Sequence, residues 1–268
     1  MASLPLESLA HDSLELGMST ITTSLLVFVC LIGAMILGMI LRKVLPEHHR
    51  SSDTKDTVKV AMGLVATMAA LVLGLLIGAA KDKYDKESSG VTEMAAKIIY
   101  LDRLLANYGP ESKDARELLQ KMVKRVSNQM WPTKGSGDAQ LDPAASQGES
   151  VFAAIQNLSP KNELQTTFKS QAQSVAFEVG QMRWQEFAQA HSAISTPLLF
   201  ILTFWLAILF VSFGIFAPSN STVIVALLMA ALAVAGAIFL MMELNSPFTG
   251  VLQIPSAPFD DALAHLGK

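Results

Sequence analysis

The chain has 268 residues, of which 51% are hydrophobic and 16% charged, with a net charge of -3 and a mean hydropathy of +0.40. Soluble chains carry about 25% charged residues, so this chain is poorer in charge than an ordinary soluble domain, and the near-neutral balance makes nucleic acid an unexpected partner. The single cysteine, Cys30, excludes an intrachain disulfide.

In chain order, residues 1–20 form an N-terminal tail that holds Glu7, Asp12 and Glu15 but no lysine or arginine. Ile21–Leu41 then runs without a charged side chain, and so do Val60–Ala80, Pro197–Ala217 and Thr222–Met242. Each is long enough to cross a hydrocarbon core of about 30 Å. The first run is too long, and too poor in preceding positive charge, for a cleavable signal peptide.

Two hairpins follow, 21–80 and 197–242, which leave 81–196 as an extramembrane region and 243–268 as a C-terminal tail. The loop after the first span carries Arg42, Lys43, Arg50, Lys55 and Lys59. By the positive-inside rule this loop is cytoplasmic, so the N-terminus and the middle region lie outside. Lys81, Lys83 and Lys86 after the second span pull the other way.

That loop also contains Glu47, His48 and His49, the one cluster resembling metal ligands. Adjacent histidines diverge on a helix or strand, whereas a shared metal needs converging rings, so a solvated loop is the better reading. No cofactor is called for.

The second span carries Ala66, Ala70, Gly74 and Gly78 at intervals of four. Such a stripe lets helix backbones approach closely. It fits a subunit contact or pore-proximal surface of a homo-oligomer, and equally a seam with another span of the same chain. Ala226, Ala230, Ala233 and Ala237 form a less regular counterpart in the fourth span.

Beyond the second span, Val91, Met94, Ile98, Leu101, Leu105 and Tyr108 alternate steps of three and four, which predicts one long helix continuing out of the membrane. Gly109-Pro110 ends it and starts the next helix, whose core face is Ala115, Leu119, Met122, Val126 and Met130. Residues 132–150, rich in Gly, Ser, Ala and Pro, read as a flexible linker. Ser159-Pro160 is expected to open a further helix with Leu164, Phe168, Ala172, Val175, Val179 and Met182 on its apolar side. The fold class is therefore all-α: four transmembrane helices in two hairpins, with a helical extramembrane bundle between them.

Glu243, directly after the last span, is a membrane-boundary carboxylate that could attract cations or pass protons; an interfacial anchor is the plainer reading. No nucleophile, zincin or P-loop signature is present, so an enzyme is not expected.

Five blocks together resemble a bacterial membrane family of unknown function labelled bestrophin-like: LPEHHR from Leu45, VKVAMGLVATMAALVLGLLIGAAKDKYD from Val58, LDRLLANYGPE from Leu101, FGIFAPSNSTV from Phe213 and MELNSPFTGVLQIPSAPFDDAL from Met242. The resemblance implies a four-span protein of the bacterial inner membrane, distantly akin to oligomeric anion channels. It also implies a cytoplasmic helical region, opposite to the charge count. The chain has no clear acidic calcium clasp and no bestrophin pore-neck motif, so no pore residue carries over. An oligomeric channel is the expected function. The alternative is a non-conducting scaffold or sensor whose bundle binds a protein partner.

Overall fold

The computed structural model describes residues 20–46, 52–131, 147–190, 196–218 and 220–268. Among them are eight α-helices: α1 Thr20–Val44, α2 Ser52–Tyr108, α3 Lys113–Met130, α4 Gln147–Gln156, α5 Glu163–Ala190, α6 Thr196–Phe216, α7 Ser221–Asn245 and α8 Ala257–His265. No strand occurs among the described residues. Four helices, α1, α2, α6 and α7, are long and apolar enough to cross a membrane. At 1.5 Å per residue, the 57 residues of α2 extend about 85 Å. The second span and the first extramembrane helix are thus one element.

The described residues fall into two units, one drawn from Met1–Lys81 with Ser195–Asn245, the other from Asp82–Ile194 with Ser246–Lys268. In the first unit Val27, Leu31, Met35, Ala69, Leu202, Leu206, Phe210, Ala231 and Ile238 form the core. Helices α1 and α6 run parallel there, because Gly38 abuts Val211 and Gly214 while Arg42, one turn later, donates through Nη1 to the Ala217 carbonyl. That carbonyl belongs to the end of α6, where helical acceptors lack partners and a cation is favoured. Parallel first and third spans are what two successive hairpins require.

The fourth-span alanine face lies mostly outside the intrachain seam. Ala231 and Ala235 are buried, whereas Ala226, Ala230 and Ala233 are exposed, because α7 buries the ridge that continues to Ile238 and Met241.

In the second unit every expected seam residue of α2 and α3 is buried: Val91, Met94, Ile98, Leu101, Leu105 and Tyr108, then Ala115, Leu119, Met122, Val126 and Met130. These faces pack within the chain itself. Gly109, at φ +125°, makes the break in a conformation that favours glycine. Pro110–Ser112 form a 3-10 turn, and Ser112 Oγ donates to the Leu105 and Gly109 carbonyls at 2.5 and 2.7 Å.

Three local expectations change. The linker expected over 132–150 ends sooner, since α4 starts at Gln147 and buries Val151 and Ile155. Helix α5 starts at Glu163 rather than after Ser159-Pro160, because Asn162 Oδ1 accepts the Gln165 N–H at 2.8 Å and so caps the helix. Leu164 is consequently exposed, while Ala172, Val175 and Val179 are buried as expected.

Residues 246–268 are folded rather than a loose tail. Ile254, Phe259, Ala262 and Leu266 join the core of the second unit. Trp131 donates its indole N–H to the Ile254 carbonyl at 2.7 Å, and its ring meets Phe248 and Phe259 at centroid distances of 5.9 and 5.6 Å.

Candidate functional site

A span surrounded by partners buries its side chains in protein; α2 does not. Only 6% of its apolar window is buried, against 28% for α1 and α6 and 17% for α7. One side, Met62, Val65, Ala69, Val72 and Leu76, packs on the core of the first unit. These residues recur at three and four, as one helical face must.

The small-residue stripe lies away from that side. Ala66, Ala70, Gly74 and Gly78 are all exposed, and a Cβ built at Gly63, Gly74 or Gly78 meets nothing within 4 Å. Val60, Leu71 and Leu75 flank the stripe and are exposed too. Thr67, the one hydroxyl residue of Val60–Ala80, turns inward to its own helix and donates to the Gly63 and Leu64 carbonyls at 2.5 and 3.2 Å. The face is therefore apolar and uncharged, with a shallow groove where side chains are missing. Such a groove is suited to close approach of another helix.

The close intrachain contact instead uses Gly38 and Gly214, of which Gly38 ends a four-residue spacing of small residues with Cys30 and Ala34 while Gly214 has no such spacing. Their Cα atoms are so near that a Cβ at Gly214 would lie 2.9 Å from Gly38 Cα.

Glu243 is 2% exposed, in the last turn of α7. Glu47, His48 and His49 lie outside the described residues, and no group of potential metal ligands occurs among the described residues.

Two further buried carboxylates escaped the sequence reading. Asp102, 2% exposed, accepts Arg116 Nε and Nη2, each at 2.8 Å, and the Gly267 N–H at 3.3 Å. Glu87 is also 2% exposed, yet its Oε1 has no hydrogen-bond partner. Burial pushes its carboxyl above the usual carboxylate range, with Lys83 opposing. The available signal for Glu87 was its position one step before Val91 in the four-and-three pattern.

Four helices of spanning length, two of them packed in parallel, and an all-helical second unit define a polytopic α-helical membrane protein. A family model described as the Bestrophin-like domain matches residues 27–259. The chain belongs to the bestrophin-like family.

Solved structures agree on the fold. A bacterial Bestrophin homolog from Klebsiella pneumoniae carrying a tryptophan-to-alanine mutation aligns with a TM-score of 0.67 at 13% identity, covering 92% of this chain and 97% of that one. A form of that homolog with an isoleucine-to-threonine mutation gives 0.64 at 15% identity, with the same coverage. A structure described as a membrane protein with a leucine-to-alanine mutation gives 0.65 at 16% identity, again over 92% and 97%. The comparison with curated proteins found no match.

Proposed function

We propose that this chain assembles with copies of itself into an ion channel of the bacterial inner membrane, using the exposed small-residue side of α2 as its subunit contact or pore-proximal surface. The carrying observation is that Ala66, Ala70, Gly74 and Gly78 face away from the chain's own core, in a protein of the bestrophin-like family. Lipid tails give spans little hydrophobic reason to associate, so close van der Waals packing at small residues supplies much of the drive. An uncharged lining does not oppose conduction, since hydroxyls, backbone groups and apolar constrictions also line ion pathways.

Purified protein in liposomes should then pass ions. Gly74→Leu should reduce that flux without destabilising the fold of the single chain, because leucine is the better helix former and nothing in the chain lies within 4 Å of the added carbon. No flux across varied pH, calcium and voltage would reject the channel reading.

A second reading, a non-conducting scaffold or sensor, is favoured by the exposed aromatic side chains Tyr100, Phe177 and Trp184 of the second unit. Crosslinking in native membranes separates the two, because a scaffold should capture a different protein on the bundle. Recovery of other copies of this chain alone favours the channel.

The charge count supports an N-terminus and a helical region outside the cytoplasm. A cysteine at Ser146, in a Cys30→Ser background, should be labelled by an impermeant reagent on intact cells. Protection would put the helical region inside.

A further inference from the structure

Glu87 occupies a position that a helix seam normally gives to an apolar residue. From it the steps to Val91, Met94, Ile98, Leu101, Leu105 and Tyr108 are four and three in strict alternation, and all six of those residues are buried. The seam therefore begins with a carboxylate. Asp102, the other buried carboxylate of this unit, has both oxygens engaged by Arg116. Glu87 has no such satisfaction: Oε1 lacks a hydrogen-bond partner, and Lys83 Nζ stands 3.8 Å away, an ion-pair distance too long for a hydrogen bond.

An ionised carboxylate taken out of water without hydrogen bonds is costly, and a protonated one much less so. The groups around Glu87 do not reverse that balance. On its own helix, Lys83 and Tyr84 lie one turn earlier. Helix α5 runs antiparallel to this part of α2, since Gln165 Nε2 donates to the Tyr108 carbonyl at 2.9 Å and Glu178 meets Lys97 at 2.6 Å. The same register carries Arg183 toward the Glu87 end. Among the described residues, Lys83 is the charged group whose field acts on Glu87, and it is outweighed by burial.

We infer that Glu87 is a proton-operated latch at the head of the extramembrane core: the helical segment from Lys83 to Val91 packs with the carboxyl protonated, and its ionisation releases that segment. The proton passes to solvent and the carboxylate follows it into water. The sign follows from linkage. A carboxyl raised in the folded state above its ordinary 4.5 contributes stability that is fully present below the ordinary value. That contribution is lost as pH rises through the folded one. The latch lies just beyond the apolar stretch of α2, where the helix leaves its membrane-spanning segment, and it does not depend on whether the protein conducts.

The test uses the full chain in lipid nanodiscs, with amide hydrogen exchange followed from acidic to alkaline pH after correction for the intrinsic rate. In the wild type, protection over residues 83–91 should fall as pH rises through the titration of the buried carboxyl. Glu87→Gln, neutral at every pH, should hold its protection constant. An infrared titration gives a readout that survives poor folding of the variant: the wild type should retain a protonated-carboxyl stretch above the ordinary carboxylate range, and Glu87→Gln should lack it. Protection in the wild type that does not change with pH would overturn the latch. So would a glutamine variant with the same pH dependence, or the absence of the carboxyl band.

Discussion

Asp102→Ala is expected to destabilise the second unit by about 3–5 kcal/mol, the cost of leaving one partner of a buried charge pair uncompensated. The lower end applies, because the Arg116 side chain retains 20% of its exposure and can recover some water. The loss goes beyond one pair. Asp102 also accepts the Gly267 N–H, and Arg116 Nη2 donates to the Lys268 carbonyl at 3.2 Å, so the same two side chains hold the end of the chain. Without them, Phe259 and Leu266 lose the polar clamp that keeps α8 against the core. Limited proteolysis should release the last helix first, and thermal unfolding should shift downward. Replacing both partners, Asp102→Leu with Arg116→Met, should recover most of the loss, because no charge is then left buried. Equal damage from the single and double variants would mean that shape, not charge pairing, sets the cost.

The second large effect belongs to the glycine contact of α1 and α6. A methyl group at Gly214 would meet the Met35 carbonyl, Gly38 Cα and the Met39 nitrogen, all backbone atoms. No side chain can swing aside, so the two helices must separate. Gly214→Ala should therefore cost about 1–3 kcal/mol through overpacking, and a larger residue more. Separation also removes the Arg42 hydrogen bond to Ala217, which needs the helix ends in register. Thermal stability in detergent and the monodisperse fraction on size exclusion report the loss. Gly63→Ala supplies the control, since nothing lies within 4 Å of its added carbon. Helix propensity and chain entropy favour alanine at both positions, so similar losses at both would show that close approach does not set the cost.

Periodicity carried much of the fold. Four apolar runs of spanning length and the seam from Val91 to Tyr108 are local patterns, and local patterns are readable without partners. What escaped depends on contacts distant in sequence. Gly38 and Gly214 lie in separate spans, and their juxtaposition, not either local pattern, makes them the close contact. Residues 246–268 contain Pro247, Gly250, Pro255 and Pro258 and so resemble a tail; Trp131, more than a hundred residues earlier, supplies the surface that folds them. Glu87 sits at the end of the charged run Lys81 to Glu87, which reads as a solvated face until the seam is extended backward by one step. The stripe on α2 was legible as a surface for close approach, but one chain viewed alone has two possible uses for it.

Electron cryomicroscopy of the purified chain in lipid nanodiscs tests the account most directly. The channel reading predicts a closed ring of identical copies around an axial opening, with the Ala66 to Gly78 side of α2 at the subunit contacts or facing the axis. A monomer, or a closed dimer with no opening and with that side of α2 turned to lipid, would contradict it.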